Sequence, residues 1–349
     1  MKVLFDICHP AHVHFFRNPI KILEKAGHDI LVTSRQKEMT TDLLDSYDIP
    51  HIEISRMGNG GPTSLLRELC IRDKNLYQIA CEFKPSVMAA IGGTFISHVG
   101  FVRRIPSVVF YDTEQATLQN LITYPFATRV VVPECYDGWI PKNRSNRYPG
   151  YHELSYLHPD RFTPDRQIAL DNGLSSDSPT YLLRTVSMKA NHDIGIAGLD
   201  VELVRKIVVR LSGMGRVLLS SEYPLPDDLA KYAYSGDPQQ IHHLLAFADG
   251  YVGESATMAS ECAVLGTPAV YISKSGRSYT EDQELKYGLV KNLIGCDRQT
   301  IADMIMSLQF PAKDTLHAAH ARLLKETIDV STYVCSTIDE LSIRSVSTA

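Results

Sequence analysis

The chain has no cysteine pattern that reads as a staple. Cys8, Cys70, Cys81, Cys135, Cys262, Cys296 and Cys335 are scattered, odd in number and without a CxxC spacing. That fits reduced thiols, not a disulfide framework or a zinc ribbon. Long hydrophobic runs are missing as well. The most apolar stretch, residues 87–102, is interrupted by Gly92, Gly93, His98 and Gly100 and is followed by Arg103 and Arg104. It falls short of the ~20 apolar residues that a spanning helix needs. At the amino end, Asp6 and His9 come too soon for a signal-peptide core. A basic excess is also lacking: Lys+Arg is 35 and Asp+Glu 40, for a net charge of −5. That balance speaks against a nucleic-acid partner. The expectation is a cytoplasmic protein, with peripheral contact at the inner face of a membrane and a homodimer both compatible with the sequence.

Several motifs are absent. Without GxxxxGK[ST] there is no P-loop, and without GxGxxG after the first strand there is no dinucleotide fingerprint. No GxSxG nucleophile elbow occurs. No DxD triplet occurs either, since Asp227 and Asp228 are adjacent and lie beside prolines. The usual metal–diphosphate anchor is therefore missing, and neither a metal nor a cofactor is expected.

What remains is a chain of 349 residues, 44% apolar and 21% charged, long enough for about two domains. An apolar run at residues 2–7, a polar loop, a helical pattern at 15–26 stopped by Gly27, and a β-branched run at 28–33 form a βαβ unit. Strands follow at 52–55, 87–91, 107–111 and 130–132. A long helix at 63–83 comes after the Gly58-Asn59-Gly60-Gly61-Pro62 breaker. Residues 141–180, rich in Pro, Asn and Ser, break the rhythm and read as a linker. A second series has strands at 181–184, 216–220, 250–252 and 269–272 and helices at 201–211, 239–248 and 257–265. From Gln299 onward the pattern is mostly helical. Alternating strands and helices predict an α/β protein with two Rossmann-like, doubly wound domains, residues 1–150 and 175–349, facing a cleft. The last helices are expected to pack back on the first domain.

Five post-strand loops hold residues with chemical capacity. Cys8-His9-Pro10-Ala11-His12-Val13-His14 offers His12 or His14 as a general base. Its plain alternative is a turn whose histidines cap the next helix, and its spacing matches no standard zinc pattern. Gly92-Gly93-Thr94 lets a helix N-terminus approach an anion. Asp112 and Glu114 can do acid/base work, bind hydroxyls, or simply favour a helix dipole. Arg184, Ser187, Lys189 and His192 share one loop that suits a diphosphate. Gly253, Ser255 and Thr257 run into a helix N-terminus, with Glu261 about one turn inside. A phosphate-friendly turn beside a carboxylate that can accept from a ribose diol suggests a nucleotide-sugar, unless Glu261 is an ordinary exposed helical glutamate.

The stretch Gly253…Thr257-Met258…Glu261…Leu265-Gly266-Thr267-Pro268 resembles the donor motif of GT-B glycosyltransferases and UDP-N-acetylglucosamine 2-epimerases. With Asp112-Thr113-Glu114, Arg147-Tyr148-Pro149-Gly150-Tyr151 and Leu157-His158-Pro159, it resembles more narrowly an uncharacterised GT-B-like domain-of-unknown-function family. The resemblance runs to about Val330. It implies a two-domain GT-B architecture in which the second half holds the nucleoside diphosphate. Glu261 would then match the ribose-binding glutamate, and Ser255 and Thr257 the diphosphate contacts. Residues 242–247 would lie near the base, and the first half would hold the acceptor. Glu114 and His192 fall in loops like those of the epimerase acidic residue and histidine. Their Gly-Thr-Arg-Pro-Glu signature is replaced here by His9-Pro10-Ala11-His12-Val13-His14.

The leading expectation is a metal-independent glycosyltransferase. It would move a sugar from a nucleoside-diphosphate sugar to a carbohydrate or lipid-linked acceptor in surface polysaccharide or glycoconjugate synthesis. A nucleotide-sugar 2-epimerase or hydrolase using Glu114 and His192 is the second reading. A non-catalytic nucleotide-sugar-binding protein is the third.

Overall fold

The first apolar run is strand β1 (Lys2–Ile7), buried on both faces from Val3 onward, as a central strand of a parallel sheet must be. The structure is a computed structural model that describes residues 1–36, 39–56, 62–186 and 199–347. The chain divides into two compact units, Met1–Arg161 with Ile328–Ala349, and Phe162–Thr327. The linker expected at residues 141–180 is therefore not one connection, because its first part belongs to the sheet of the first unit.

In the first unit β1 is followed by α1 (Pro10–Lys25), β2 (Asp29–Gln36), α2 (Thr40–Ser46), β3 (His51–Arg56) and α3 (Pro62–Phe83). Then come β4 (Val87–Ile91), α4 (Thr94–Arg103), β5 (Ser107–Phe110), α5 (Thr117–Thr123), β6 (Arg129–Pro133), β7 (Ser145–Tyr148) and α6 (Leu154–Leu157). The strands lie in the order β3-β2-β1-β4-β5-β6-β7, and every pairing is parallel.

Helix α1 begins well before the predicted start. Pro10 occupies its first turn, where a missing N–H is harmless, and His9 caps it, its Nδ1 accepting from Ala11 N at 3.2 Å. Much of the expected polar loop is thus helix. Strand β7 was invisible in the sequence because Ser-Asn-Arg-Tyr is a short, polar, edge strand.

The second unit contains α7 (Arg166–Asp171), β8 (Thr180–Thr185), α8 (Val201–Ser212), β9 (Arg216–Ser221), α9 (Asp227–Ala230) and α10 (Ile241–Phe247). It continues with β10 (Gly250–Gly253), α11 (Ala256–Leu265), β11 (Ala269–Ser273), α12 (Ser278–Asp282), β12 (Val290–Ile294), α13 (Arg298–Met306) and α14 (Lys313–Glu326). Its sheet runs β12-β11-β10-β8-β9, again all parallel. The core gathers β8, β9 and β10 residues such as Leu183, Leu219 and Val252 against Leu203, Ile207 and Leu211 of α8. The last helix, α15 (Val330–Ser347), returns to the first unit, where it contacts α1, α6 and β4. Among the described residues no helix is long and apolar enough to cross a membrane.

Candidate functional site

In the first unit the strand order reverses between β1 and β4. Such reversals are where open parallel sheets bind ligands, outside the carboxyl ends of the strands. The end of β1 is anchored by a buried ion pair. Arg72 Nη2 of α3 lies 3.1 Å from each oxygen of Asp6, and Thr33 Oγ1 donates to Asp6 Oδ1 at 2.9 Å. The guanidinium also stacks 4.1 Å from the Phe95 ring centroid. A buried charge persists only with partners of this kind. Arg72 Nη2 also donates to Cys8 Sγ at 3.1 Å. Burial first, then the Asp6 charge, pushes the Cys8 thiol up to about 12. Cys8 therefore stays protonated and supplies no thiolate.

His12 lies on the first turn of α1, and its Nδ1 accepts the Cys8 N–H at 3.4 Å. The neutral ring then carries its proton on Nε2, so its other nitrogen is a donor, not a base. His14 packs differently. Its ring lies 5.3 Å from Tyr156 and 6.0 Å from Tyr47, and the Arg17 guanidinium sits over both tyrosines. An aromatic–cation stack of this kind is mainly a packing arrangement.

The turn after β4 requires its glycines. Gly92 and Gly93 have φ of +73° and +57°, and a Cβ on Gly93 would meet the Val109 side chain at 2.9 Å. This close approach brings the N-terminus of α4 to the strand ends.

Asp112 follows β5. Its Oδ2 lies 3.1 Å from His152 Nδ1, and its Oδ1 accepts from Thr113 Oγ1 at 3.0 Å. Burial alone would raise this carboxyl. The neighbouring His152, the hydrogen bonds from His152 and Thr113, and the more distant His12 outweigh burial and hold it below its ordinary 3.8. Glu114, half-buried, stands close enough to Tyr111 and Tyr136 for its charge to bear on both phenols.

In the second unit the order reverses between β8 and β10. Arg184, near the end of β8, donates from Nη1 to Ser220 Oγ at 2.7 Å and from Nη2 to Glu222 Oε1 at 2.8 Å. Gly253 ends β10 so close to β8 that a Cβ there would lie 2.6 Å from Arg184 O. Glu254 accepts from Val186 N at 2.9 Å and from Leu199 N at 2.8 Å. It thereby ties down both flanks of residues 187–198. Ser187, Lys189 and His192 lie outside the described residues.

Ser255 caps α11, its Oγ accepting from Met258 N at 3.3 Å, and the first turn of that helix holds no acidic residue. Thr257 is half-buried on the same turn. Glu261 is buried, and its Oε1 lies 2.9 Å from Nε2 of the equally buried His242. It is not an exposed helical glutamate. The signal was present: Ala-Thr-Met-Ala-Ser-Glu-Cys-Ala-Val-Leu is apolar or small on every side, so such a helix is buried and a carboxylate within it must find a partner. His152, Arg72 and Glu254 were not among the sequence candidates. His152 sat in the presumed linker, and Arg72 read as one polar residue of a long helix.

Two Rossmann-like units, each built on its own parallel sheet, make this a GT-B-like α/β protein. The UDP-GlcNAc 2-epimerase of Neisseria meningitidis, solved bound to UDP-GlcNAc, matches 99% of this chain and 100% of its own at a TM-score of 0.65 and 15% identity. MurG of Acinetobacter baumannii matches 97% of this chain and 100% of its own at a TM-score of 0.60 and 12% identity. The chain belongs to the family described as a protein of unknown function, DUF354, whose model matches residues 1–285. An uncharacterised protein of Methanocaldococcus jannaschii is 24% identical over 284 residues, which is 77% of this chain and 81% of that protein.

Proposed function

We propose that this protein is a metal-independent glycosyltransferase. It takes a sugar from a nucleoside-diphosphate sugar and passes it to a carbohydrate or lipid-linked acceptor in surface polysaccharide or glycoconjugate synthesis. The observation that carries the donor assignment is the β10–α11 junction. There a glycine keeps the backbone open, the first N–H groups of α11 have no helical acceptor, and Glu261 is held rigid by His242 one turn inside. An N-terminus of this kind favours a diphosphate, and a preorganised carboxylate suits a ribose diol. Gly253, Ser255, Thr257 and Arg184, with Ser187 and Lys189, are assigned to the donor. The likeness to an epimerase solved with UDP-GlcNAc supports the same ligand class.

On the acceptor side Asp112 accepts the hydroxyl proton, and His12 contributes a donor from Nε2. Glu114 lines the same strand ends, and His14 supports α1. Location in the cytoplasm fits this substrate class. The reading of peripheral membrane contact draws on the exposed Phe101 and Val102, which line one groove with Arg104 and Arg144.

The experiment is a thermal-shift screen against UDP, GDP, CDP and ADP, followed by donor turnover with candidate acceptors. No shift with any of the four sinks the donor assignment. Unchanged transfer in both His12→Ala and Glu261→Ala sinks the site. The epimerase reading, favoured by the full-length likeness to the Neisseria enzyme, predicts exchange at sugar C2 in deuterated water without acceptor, through Glu114 and His192. Tight binding with no product would leave the non-catalytic reading.

A further inference from the structure

Asp112 and His152 form a pair whose geometry is one-directional. His152 turns Nδ1 toward Asp112 Oδ2 at 3.1 Å. Its Nε2 is buried with no hydrogen-bond partner among the described residues. The ring is clamped by Phe15, whose centroid is 4.5 Å away, and it runs parallel to the Tyr148 ring, 7° apart in plane at 6.4 Å. The Tyr148 hydroxyl is likewise buried with no partner among the described residues. A proton placed on Nε2 would face no acceptor, and a buried unpaired donor is costly. The tautomer with its proton on Nδ1 satisfies the carboxylate and leaves only a bare lone pair buried.

The carboxylate itself is not used up. Oδ1 takes the Thr113 hydroxyl and Oδ2 takes His152. Each oxygen accepts more than one hydrogen bond, and Asp112 is only partly covered, at 22% exposure. A substrate hydroxyl therefore finds an oriented acceptor.

We propose that His152 is a positioning residue that fixes Asp112, through its Nδ1–H, as the proton acceptor for the incoming hydroxyl. The role rests on the glycosyl-transfer reading given above. In that step the acceptor O–H bond breaks and its proton passes to Asp112. The freed electron pair forms the bond to the anomeric carbon. The bond from that carbon to the diphosphate oxygen breaks, and its pair leaves on the diphosphate.

The groups bearing on Asp112 are few. Hydrogen bonds from His152 Nδ1 and from the Thr113 hydroxyl favour its ionised form, and His12 of α1 lies nearby. Tyr111, Tyr136 and Tyr148 are near enough to feel its charge, and burial before all else raises their phenols, so they stay neutral. Removing His152 takes away the nearest stabilisation of the charged form, and the carboxyl titrates at higher pH. Catalysis that needs the carboxylate then fails at higher pH, so the acid limb of the rate profile moves up.

The test uses the 349-residue chain as wild type, His152→Phe and His152→Gln. Carbon NMR follows the Asp112 carboxyl, assigned with Asp112→Asn, and UDP release from UDP-N-acetylglucosamine supplies the rate profile. In His152→Phe both the titration and the acid limb should rise by about one pH unit or more. His152→Gln, which keeps a donor, should restore part of the shift. A folded His152→Phe with an unmoved carboxyl titration overturns the proposal. Nitrogen NMR on the wild-type chain decides it independently of any variant: a His152 proton on Nε2 overturns it. A shifted titration in a chain that turns over none of the UDP-, GDP-, CDP- and ADP-sugars with the candidate acceptors upholds the pair and overturns the transfer reading alone.

Discussion

The Ser155 hydroxyl donates to the backbone carbonyl of Phe15. That carbonyl is the one Pro19 leaves without its helical N–H, since proline at position i cannot bond the carbonyl at i−4. Ser331 of α15 in turn donates to the Ser155 carbonyl, and Asn18 does so at 2.9 Å. A defect in α1 thus becomes the point where α1, α6 and α15 are tied. Ser155→Ala should cost about 1–3 kcal/mol, the usual penalty for an orphaned buried acceptor. In a Pro19→Ala background the helix supplies its own donor, so the same change should cost clearly less. Urea unfolding of the four proteins in this double-mutant cycle measures the difference. Equal costs in both backgrounds would falsify the link.

His98 joins three helices. Its Nδ1 lies 3.0 Å from Asp73 of α3 and its Nε2 2.9 Å from the Ile122 carbonyl of α5. Both ring nitrogens face acceptors, so only the imidazolium serves both. The Asp73 hydrogen bond, chiefly, raises His98 above its ordinary 6.5, against the pull of burial. A raised folded-state value means full stabilisation below about pH 6.5. That stabilisation is lost as pH climbs through the folded value. Urea midpoints at about pH 5.5 and about pH 8.5 should fall more for wild type than for His98→Gln. A parallel fall in both proteins would remove the His98 contribution.

Glu254 is expected to act through the backbone. Glu254→Ala strips the acceptors from Val186 and Leu199 at once. Their amides should exchange with deuterium on the order of tenfold faster, while a buried amide such as Leu182 keeps its rate. Nucleoside-diphosphate binding should weaken alongside. If both amides keep wild-type protection, the tie has no energetic weight.

The cysteines should divide by environment. Cys70 is exposed, whereas burial raises Cys8 and Cys335 to about 12 and Cys262 well above its ordinary 9.0. At about pH 8 a thiol near 12 is ionised in roughly one molecule in ten thousand. Iodoacetamide should label Cys70 first and leave Cys8, Cys262 and Cys335 intact in the folded chain, as read by peptide mass mapping. Early labelling of Cys8 would contradict the Asp6–Arg72–Cys8 network.

The sequence disclosed what hydrophobic periodicity can disclose. Val87–Ile91 and Ala269–Ser273 are strands buried on both faces, and their apolar runs stood out. Edge strands β7 and β12 carry Asn and Arg, or Lys and Asn, and have no such run. The helical start at Pro10 was masked because a cluster of histidines resembles a loop more than a first turn. Asp112 was legible as a post-strand acid, but His152 was not, because its role depends on a strand the pattern did not reveal. Pairings such as Glu261 with His242 depend on tertiary placement, which spacing along one chain does not encode.

The first unit is assembled from two stretches of chain, Met1–Arg161 and Ile328–Ala349, with the second unit whole between them. Ribosomes make the chain from its amino end. Every residue of Phe162–Thr327 therefore exists before α15 does, and the unit that is begun first is finished last. The tie from Ser331 to Ser155 closes only after the whole of the second unit has been made. A nascent polypeptide thus holds a complete second unit while the first still waits for its last helix.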